Sequence, residues 1–449
     1  MYMQSEGRDA MNTTELLRAL DGGQYRPALA ALYGPDGAPR AEARYRALAE
    51  TFRARYGDAE NAAFFSAPGR SEIGGNHTDH QGGHVLACAV GLDAAAVAAR
   101  NGTDVIRIYA DRYGENVVNV RETAPVAEET GRSNALVRGI AARLQALGHP
   151  IGGFDAVMSS EVLPGSGLSS SACFEVLVAG IASALFDLRL PPVALAQIAQ
   201  YAENVYFGKP CGLMDPCACA AGGFLAMDFH DPASPAVERI ACAPETYGYA
   251  LCLIDAGGSH AGLTDEYAAI PEEMRSVARC FGHTSLSAVP RAEFDRALYA
   301  GLRGRVSDRA ILRAMHFFAE DERAQQEAAA LKDGDFERFL ALVRASGASS
   351  MELLQNIYPA GDPAERSVAL ALALCGQLLG ERGARRVHGG GFAGTVQAFV
   401  PLALLEPFRE KLEGALGAGC CRAVSVRPVG FVQLRAEQRA CHGAESVIK

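Results

Sequence analysis

Residues 67–83 read Ala-Pro-Gly-Arg-Ser-Glu-Ile-Gly-Gly-Asn-His-Thr-Asp-His-Gln-Gly-Gly and set Arg70, Glu72, Asn76, His77, Asp79 and His80 among five glycines. Asp and His together can hold several hydroxyl groups by charge-assisted hydrogen bonds. Glycines let a backbone take positive φ and approach a ligand closely. The combination suits a polyol, and a polar surface turn is the other reading of the same composition. Residues 161–172, Glu-Val-Leu-Pro-Gly-Ser-Gly-Leu-Ser-Ser-Ser-Ala, lead into an apolar run of helical character over 173–186. A Gly/Ser loop opening a helix presents unpaired N–H groups and the positive end of the helix dipole, which suits phosphate. The hydroxyls of Ser169, Ser170 and Ser171 add donors or a magnesium ligand, although Ser-rich helix starts are common for capping alone. It is not a Walker A loop, because no Gly-Lys-Ser/Thr follows at the required spacing. Residues 387–396, Val-His-Gly-Gly-Gly-Phe-Ala-Gly-Thr-Val, predict a tight loop feeding a strand.

In this order the three segments resemble the three motifs of the GHMP small-molecule kinases, most closely the galactokinases. The first matches their Gly-Arg, short apolar stretch, Gly and His-Thr-Asp; the second their Gly-Leu-Ser-Ser-Ser-Ala loop; the third their Gly-Gly-Gly-Phe segment. Two more pieces agree: Tyr201-Ala-Glu-Asn-Val-Tyr-Phe-Gly-Lys-Pro-Cys-Gly-Leu-Met-Asp215 and Leu263-Thr-Asp-Glu-Tyr267. The resemblance spans roughly residues 50–449. It implies ATP-dependent phosphorylation of galactose at the anomeric hydroxyl. Asp215 would orient that hydroxyl and accept its proton, with Arg70 beside it holding Asp215 ionised and stabilising the migrating phosphoryl group. Glu203 and Ser171 would bind Mg²⁺. The loop Gly165, Ser166, Gly167, Leu168, Ser169, Ser170 and Ser171 would wrap the ATP phosphates. Asn76, His77, Asp79, Gly212 and Tyr267 would contact the sugar.

The chain departs from the galactokinase pattern at several positions. Asn76 stands where Glu is usual, His80 where Tyr is usual, Ala393 where Gly is usual, and Pro216 where Gln is common. A Glu would repel a carboxylate at C6, whereas a neutral Asn76 can donate to one. That contrast keeps a galacturonate 1-kinase as the alternative, with Lys209 and His80 as further partners for an acidic sugar. A non-catalytic sugar sensor on the same scaffold is the other rival. Sensors of that kind tend to lose part of the Ser loop or the catalytic Asp, and Ser169–Ser171, Glu203 and Asp215 are all present here. Homoserine and mevalonate kinases lack a substrate with a ring of hydroxyls to match His77, Asp79 and Tyr267.

These residues need a scaffold of more than one core, since 449 residues exceed what one usually supports. Hydrophobic content of 49% and charged content of 21% describe an ordinary globular chain. A net charge of −10 argues against nucleic-acid partners, so a phosphate site must be a local positive island. No apolar stretch is long enough to span a bilayer, and the first ten residues lack the apolar core of a signal peptide. The expectation is a cytoplasmic protein, a monomer or weak homodimer. Its twelve cysteines, several inside apolar runs (Cys88, Cys173, Cys252, Cys375), read as small buried hydrophobes.

Helices are expected near residue 13 and over 41–56, 134–147 and 367–379, with several between 271 and 355. Strands are expected over 85–90, 94–99, 105–109, 117–120, 154–159, 249–254, 395–400 and 423–426. Without strict β-α alternation this is an α+β fold. The resemblance implies two domains with the active site in the cleft between them: a helical extension over 1–45, an ATP- and sugar-binding domain over 46–235 and a C-terminal domain over 236–449.

Overall fold

The structure, a computed structural model, describes residues 11–111, 114–162, 167–231, 233–258 and 262–437. Helix α1 (Thr13–Asp21) opens on a capping box: the Asn12 side chain accepts from the Glu15 amide (2.8 Å) and Glu15 accepts from the Asn12 amide (2.9 Å). Helix α2 (Arg26–Tyr56) bends at Gly34, whose φ of 74° is non-helical, and Pro35 restarts it. Leu16, Leu20, Leu29, Tyr45, Leu48 and Phe52 pack on Phe64, Ala95, Val97 and Val157. Helices α1 and α2 therefore form a layer over the first sheet, and α2 continues to Tyr56, past the boundary expected at residue 45.

That sheet holds β1 (Ala63–Gly74), β2 (His84–Arg100), β3 (Val105–Ala110), β4 (Gly114–Asn119), β5 (Phe154–Ser160), β6 (Phe224–Asp228), β7 (Ala236–Ile240) and a C-terminal strand. The two strands expected over 85–90 and 94–99 are one strand, β2. Its first part pairs with β6 and its second with β5, while β1 runs antiparallel along both. Ala94, Ala96 and Ala98 enter one core, and Ala95, Val97 and Ala99 enter the other. Side chains alternate across a strand, so a sheet covered on both faces needs small apolar residues at every position. Helices α3 (Ser133–Ala146), α4 (Ser170–Leu185), α5 (Pro192–Tyr201) and α6 (Met214–Ala221) lie on the same side of the sheet, with Val137, Ile140, Val176, Ile181, Leu195 and Cys219 in its core.

The second sheet holds β8 (Tyr249–Asp255), β9 (Ala384–Val387), β10 (Thr395–Pro401) and β11 (Cys421–Val424), in the order β11-β8-β10-β9 and all antiparallel. Helices α7 (Thr264–Arg279), α8 (Arg291–Tyr299), α9 (Asp308–Lys332), α10 (Phe336–Ser349), α11 (Ser367–Leu379) and α12 (Leu405–Leu416) complete this half. Val368, Leu372, Cys375, Phe408 and Leu412 form its own core, and Ala328, Leu331, Phe339 and Val343 of α9 and α10 join the core of the first sheet. The final described strand, β12 (Val432–Gln433), pairs with β1, so the chain ends back on the first sheet. Buried Asp93 of β2 anchors that return through Arg427 (3.0 Å), and Arg44 of α2 holds its other oxygen (2.6 Å). Among the described residues no helix is long and apolar enough to cross a membrane. Cys88, Cys173, Cys252 and Cys375 are buried and free.

Candidate functional site

Strand β1 slips register on β2 between Pro68 and Arg70 and again between Glu72 and Gly74. Bulges re-aim side chains, and these two bracket the residues that matter. Arg70 turns to α6 and forks onto Asp215, Nε to Oδ1 at 2.6 Å and Nη2 to Oδ2 at 2.8 Å. Its third nitrogen, Nη1, donates to the Gly167 carbonyl. Burial works to raise the Asp215 carboxyl, and the Arg70 charge, the Ser169 hydroxyl and Lys209 outweigh it, leaving the pKa below the ordinary value. Asp215 is therefore an ionised carboxylate held in one orientation.

The Arg70 amide donates to Leu168 O (3.2 Å), tying the first motif to the loop before α4. Gly167 takes φ +73° and Ser169 takes φ +56°. Ser169 sits at the N-cap of α4 without capping it, so among the described residues no side chain covers the first N–H groups of the helix. Gly165 and Ser166 lie outside the described residues. Ser171 Oγ donates to Glu203 Oε1 (3.0 Å), and Lys209 Nζ reaches the same oxygen (3.1 Å). Glu203 stands on a π-helical turn (Ala202–Phe207) that extends α5, an irregularity that the apolar periodicity of the sequence did not signal. Lys209 thus pairs with Glu203 rather than standing alone as a cation for an acidic sugar. A hydroxyl and a carboxylate side by side are the hard oxygen donors that suit Mg²⁺. Glu175 of α4 is fully buried nearby, and among the described residues neither carboxylate oxygen has a hydrogen-bond partner; burial first, then Glu203, push its pKa well up against the opposing Lys209 charge.

After β1 the chain turns at Gly75, φ +81°, where a Cβ would stand 2.4 Å from the His84 carbonyl. The buried Thr78 hydroxyl donates to that carbonyl (2.6 Å) and closes the turn. His77, at φ +61°, places Nε2 3.2 Å from Gly390 O. A carbonyl only accepts, so Nε2 carries the proton and Nδ1 is left as an acceptor. Burial, then His80, lowers the His77 pKa to about 3, so the ring is neutral. Gly212 lies against the Asp79 carboxylate. Tyr267 donates to Gly391 O (2.9 Å), packs edge-on to Phe392 and touches Gly390. His77, Asp79, Gly212 and Tyr267 thus gather between the first turn and the triple glycine, with Asp215 three residues beyond Gly212. His80 stacks on His77, ring centroids 5.8 Å apart.

Asn76 is placed otherwise than expected. It is completely buried, and Nδ2 donates to Glu72 Oε1 (2.7 Å) and Gly389 O (2.9 Å). Its Oδ1 accepts from Asn356 (2.9 Å) and Ser350 (3.3 Å). Every hydrogen-bonding position of the amide is taken by protein, so Asn76 positions the turn and presents no free donor to a ligand. Arg386 of β9 completes this cluster on Glu72 (2.6 Å). Glu72 stood out by residue type and His388 lay inside the third glycine segment, yet neither carried an expected role, and Arg386 was not singled out at all; their pairing joins segments more than 300 residues apart, which no local pattern records.

Residues 135–223 match the GHMP kinases N terminal domain, and residues 50–100 match the galactokinase galactose-binding signature. A galactokinase of Streptomyces coelicolor is 32% identical over 385 residues, covering 84% of this chain and 95% of that protein. Among solved structures, the galactokinase of Lactococcus lactis complexed with galactose superposes with a TM-score of 0.76 at 24% identity, covering 87% of this chain and all of that one. The Methanococcus jannaschii mevalonate kinase superposes with a TM-score of 0.57 at 16% identity, covering 82% and 98%. These two share the fold.

Proposed function

The chain belongs to the galactokinase family of GHMP kinases, and from that premise we propose that it transfers the terminal phosphoryl group of ATP to the anomeric hydroxyl of galactose. The observation that carries this reading is the Arg70 fork on Asp215, held beside Gly167 and three residues from Gly212. Phosphoryl transfer asks little covalent chemistry of a protein; it asks for positioning and charge stabilisation. Asp215 orients the hydroxyl and takes its proton as the oxygen attacks phosphorus. Its depressed pKa makes it a weak base, so orientation is the larger part of its work. Arg70 keeps its charge throughout and offsets the negative charge on the phosphoryl oxygens.

Neutral His77 offers Nδ1 as an acceptor to a sugar hydroxyl, and the Asp79 carboxylate accepts from others. Tyr267 and Gly212 bound the same space. Ser171 and Glu203 would hold Mg²⁺, which when bound neutralises phosphate charge. The Gly167–Ser171 backbone and the open N-terminus of α4 receive the phosphates.

Sugar-dependent ADP release with Mg·ATP tests the reading, with galactose, galacturonate and N-acetylgalactosamine compared side by side. Turnover with galactose is the expected result. Turnover with galacturonate alone would overturn the substrate assignment. The burial of Asn76, with its amide fully engaged by protein, supports galactose over an acid sugar. Galactose binding without turnover would favour a sensor, and Asp215→Ala in the active enzyme should reproduce that state.

A further inference from the structure

His388 follows β9 directly, at the head of the triple glycine, and is 2% exposed. Its two ring nitrogens have different surroundings. Gln397 Nε2 donates to Ser71 Oγ (2.6 Å), which directs the Ser71 hydroxyl proton to His388 Nε2 (3.0 Å). The Glu72 amide donates to the same nitrogen (3.3 Å). Nε2 is therefore an acceptor, and the neutral ring carries its proton on Nδ1. Burial first, then the Arg70 and Arg386 charges, hold the pKa well below the usual histidine value, so the ring stays neutral.

The Nδ1 atom is buried and has no hydrogen-bond partner among the described residues. Gly167 of the phosphate loop lies against it: a Cβ there would stand 2.8 Å from His388 Nδ1 and 2.8 Å from Thr395 Oγ1. One imidazole thus joins all three glycine segments, with Ser71 and Glu72 of the first on Nε2, Gly167 of the second at Nδ1, and the third carrying the ring. Leaving a buried donor unpaired costs stability, and such groups persist where a ligand completes them.

We propose that the Nδ1–H of His388 is a nucleotide-binding donor that meets a phosphate oxygen of ATP beside Gly167. The proposal rests on the kinase reading above. It assigns His388 two jobs through two atoms: Nε2 braces the strand that carries Arg70, and Nδ1–H binds the anion.

Two variants separate the atoms. In His388→Asn the amide nitrogen takes the place of Nδ1, and in His388→Gln the amide oxygen takes the place of Nε2. Isothermal titration with Mg·AMP-PNP and Mg·ADP should show H388Q weakened by roughly tenfold, the scale of one charge-assisted hydrogen bond, with galactose affinity unchanged. H388N should keep its nucleotide affinity. Loss with AMP-PNP alone would place the contact on the terminal phosphate, and loss with both on the inner ones. H388Q binding both nucleotides like the wild type would overturn the proposal and leave the ring as a brace only. A wild type that binds galactose but neither nucleotide would instead overturn the kinase reading. Independently of any variant, the ¹⁵N-coupled Nδ1–H signal of His388 should move on addition of Mg·ADP or Mg·AMP-PNP; no movement with either would also count against the contact.

Discussion

A Cβ on Gly212 would stand 1.7 Å from Asp79 Oδ2 and 2.6 Å from its Cγ. The two residues come from different motifs, 133 positions apart, yet one has no side chain because the other's carboxylate fills the space. Gly212→Ala must therefore push Asp79 out of place. The backbone of Gly212 needs no positive φ, so the substitution should leave the thermal midpoint within a few degrees. Galactose affinity should fall by about tenfold or more, the scale of one or two hydrogen bonds to a charged group. Titration calorimetry on G212A checks this, and unchanged sugar affinity would remove Asp79 from the sugar site.

Arg70 and Asp215 govern the acid side of the pH profile. Burial alone would raise the Asp215 pKa, and Arg70 reverses the sign. Replacing Arg70 with Met leaves the burial and deletes the compensating charge, so the Asp215 pKa must rise. The acid limb of kcat/KM should move to higher pH in R70M, and kcat at neutral pH should drop by about a hundredfold or more. The linked stability has the same sign. A depressed folded pKa means that this pair stabilises the protein above the ordinary carboxylate pKa, and the contribution is lost as pH falls through the depressed value. A pH–rate profile of R70M with an unmoved acid limb would show that another group sets it.

Asn76→Asp changes one atom and reverses two interactions. The amide donors to Glu72 Oε1 and Gly389 O become an oxygen facing a carboxylate and a carbonyl, in a site with no exposure. Burying a charge against acceptors costs on the order of 3 kcal/mol or more. N76D should therefore lower the thermal midpoint clearly, as differential scanning calorimetry would show. A specificity change between galactose and galacturonate at unchanged stability would contradict the buried role.

Glu203→Gln probes the hydroxyl–carboxylate pair. Gln cannot supply the anionic oxygen that Ser171 and Lys209 now share and that a hard cation requires. The magnesium concentration for half-maximal turnover should rise by about tenfold or more, with galactose binding in the absence of nucleotide unchanged. A magnesium titration of E203Q matching the wild type would exclude Glu203 as the ligand.

Much of the scaffold was legible because it obeys simple periodicities. The helix over 367–379 and the strand over 154–159 were found close to their observed bounds, since apolar spacing and flanking turn residues mark both. The merged β2 was not, because Gly91 and Asp93 in the three residues between its halves look like a break. The distant segment 425–427 shows why the strand continues: the Ser425 carbonyl accepts from Gly91, Val90 bridges Val426, and the Ala89 carbonyl accepts from Arg427. The π-helical turn bearing Glu203 left no trace in the spacing, because one inserted residue shifts a helix face without changing composition.

The glycine segments by themselves determined the family, the residue types at the site and the chemistry those types can do. Arg70, Asp215, His77, Asp79 and the Ser loop are local in sequence, each within a short recognisable pattern. What the tertiary structure alone decided is which atoms are free. Asn76 looked like a ligand and is spent inside the protein, whereas His388 looked like part of a turn and keeps a buried donor beside Gly167. Hydrogen-bond capacity is a property of partners from distant segments, and no local pattern records whether those partners have already used it.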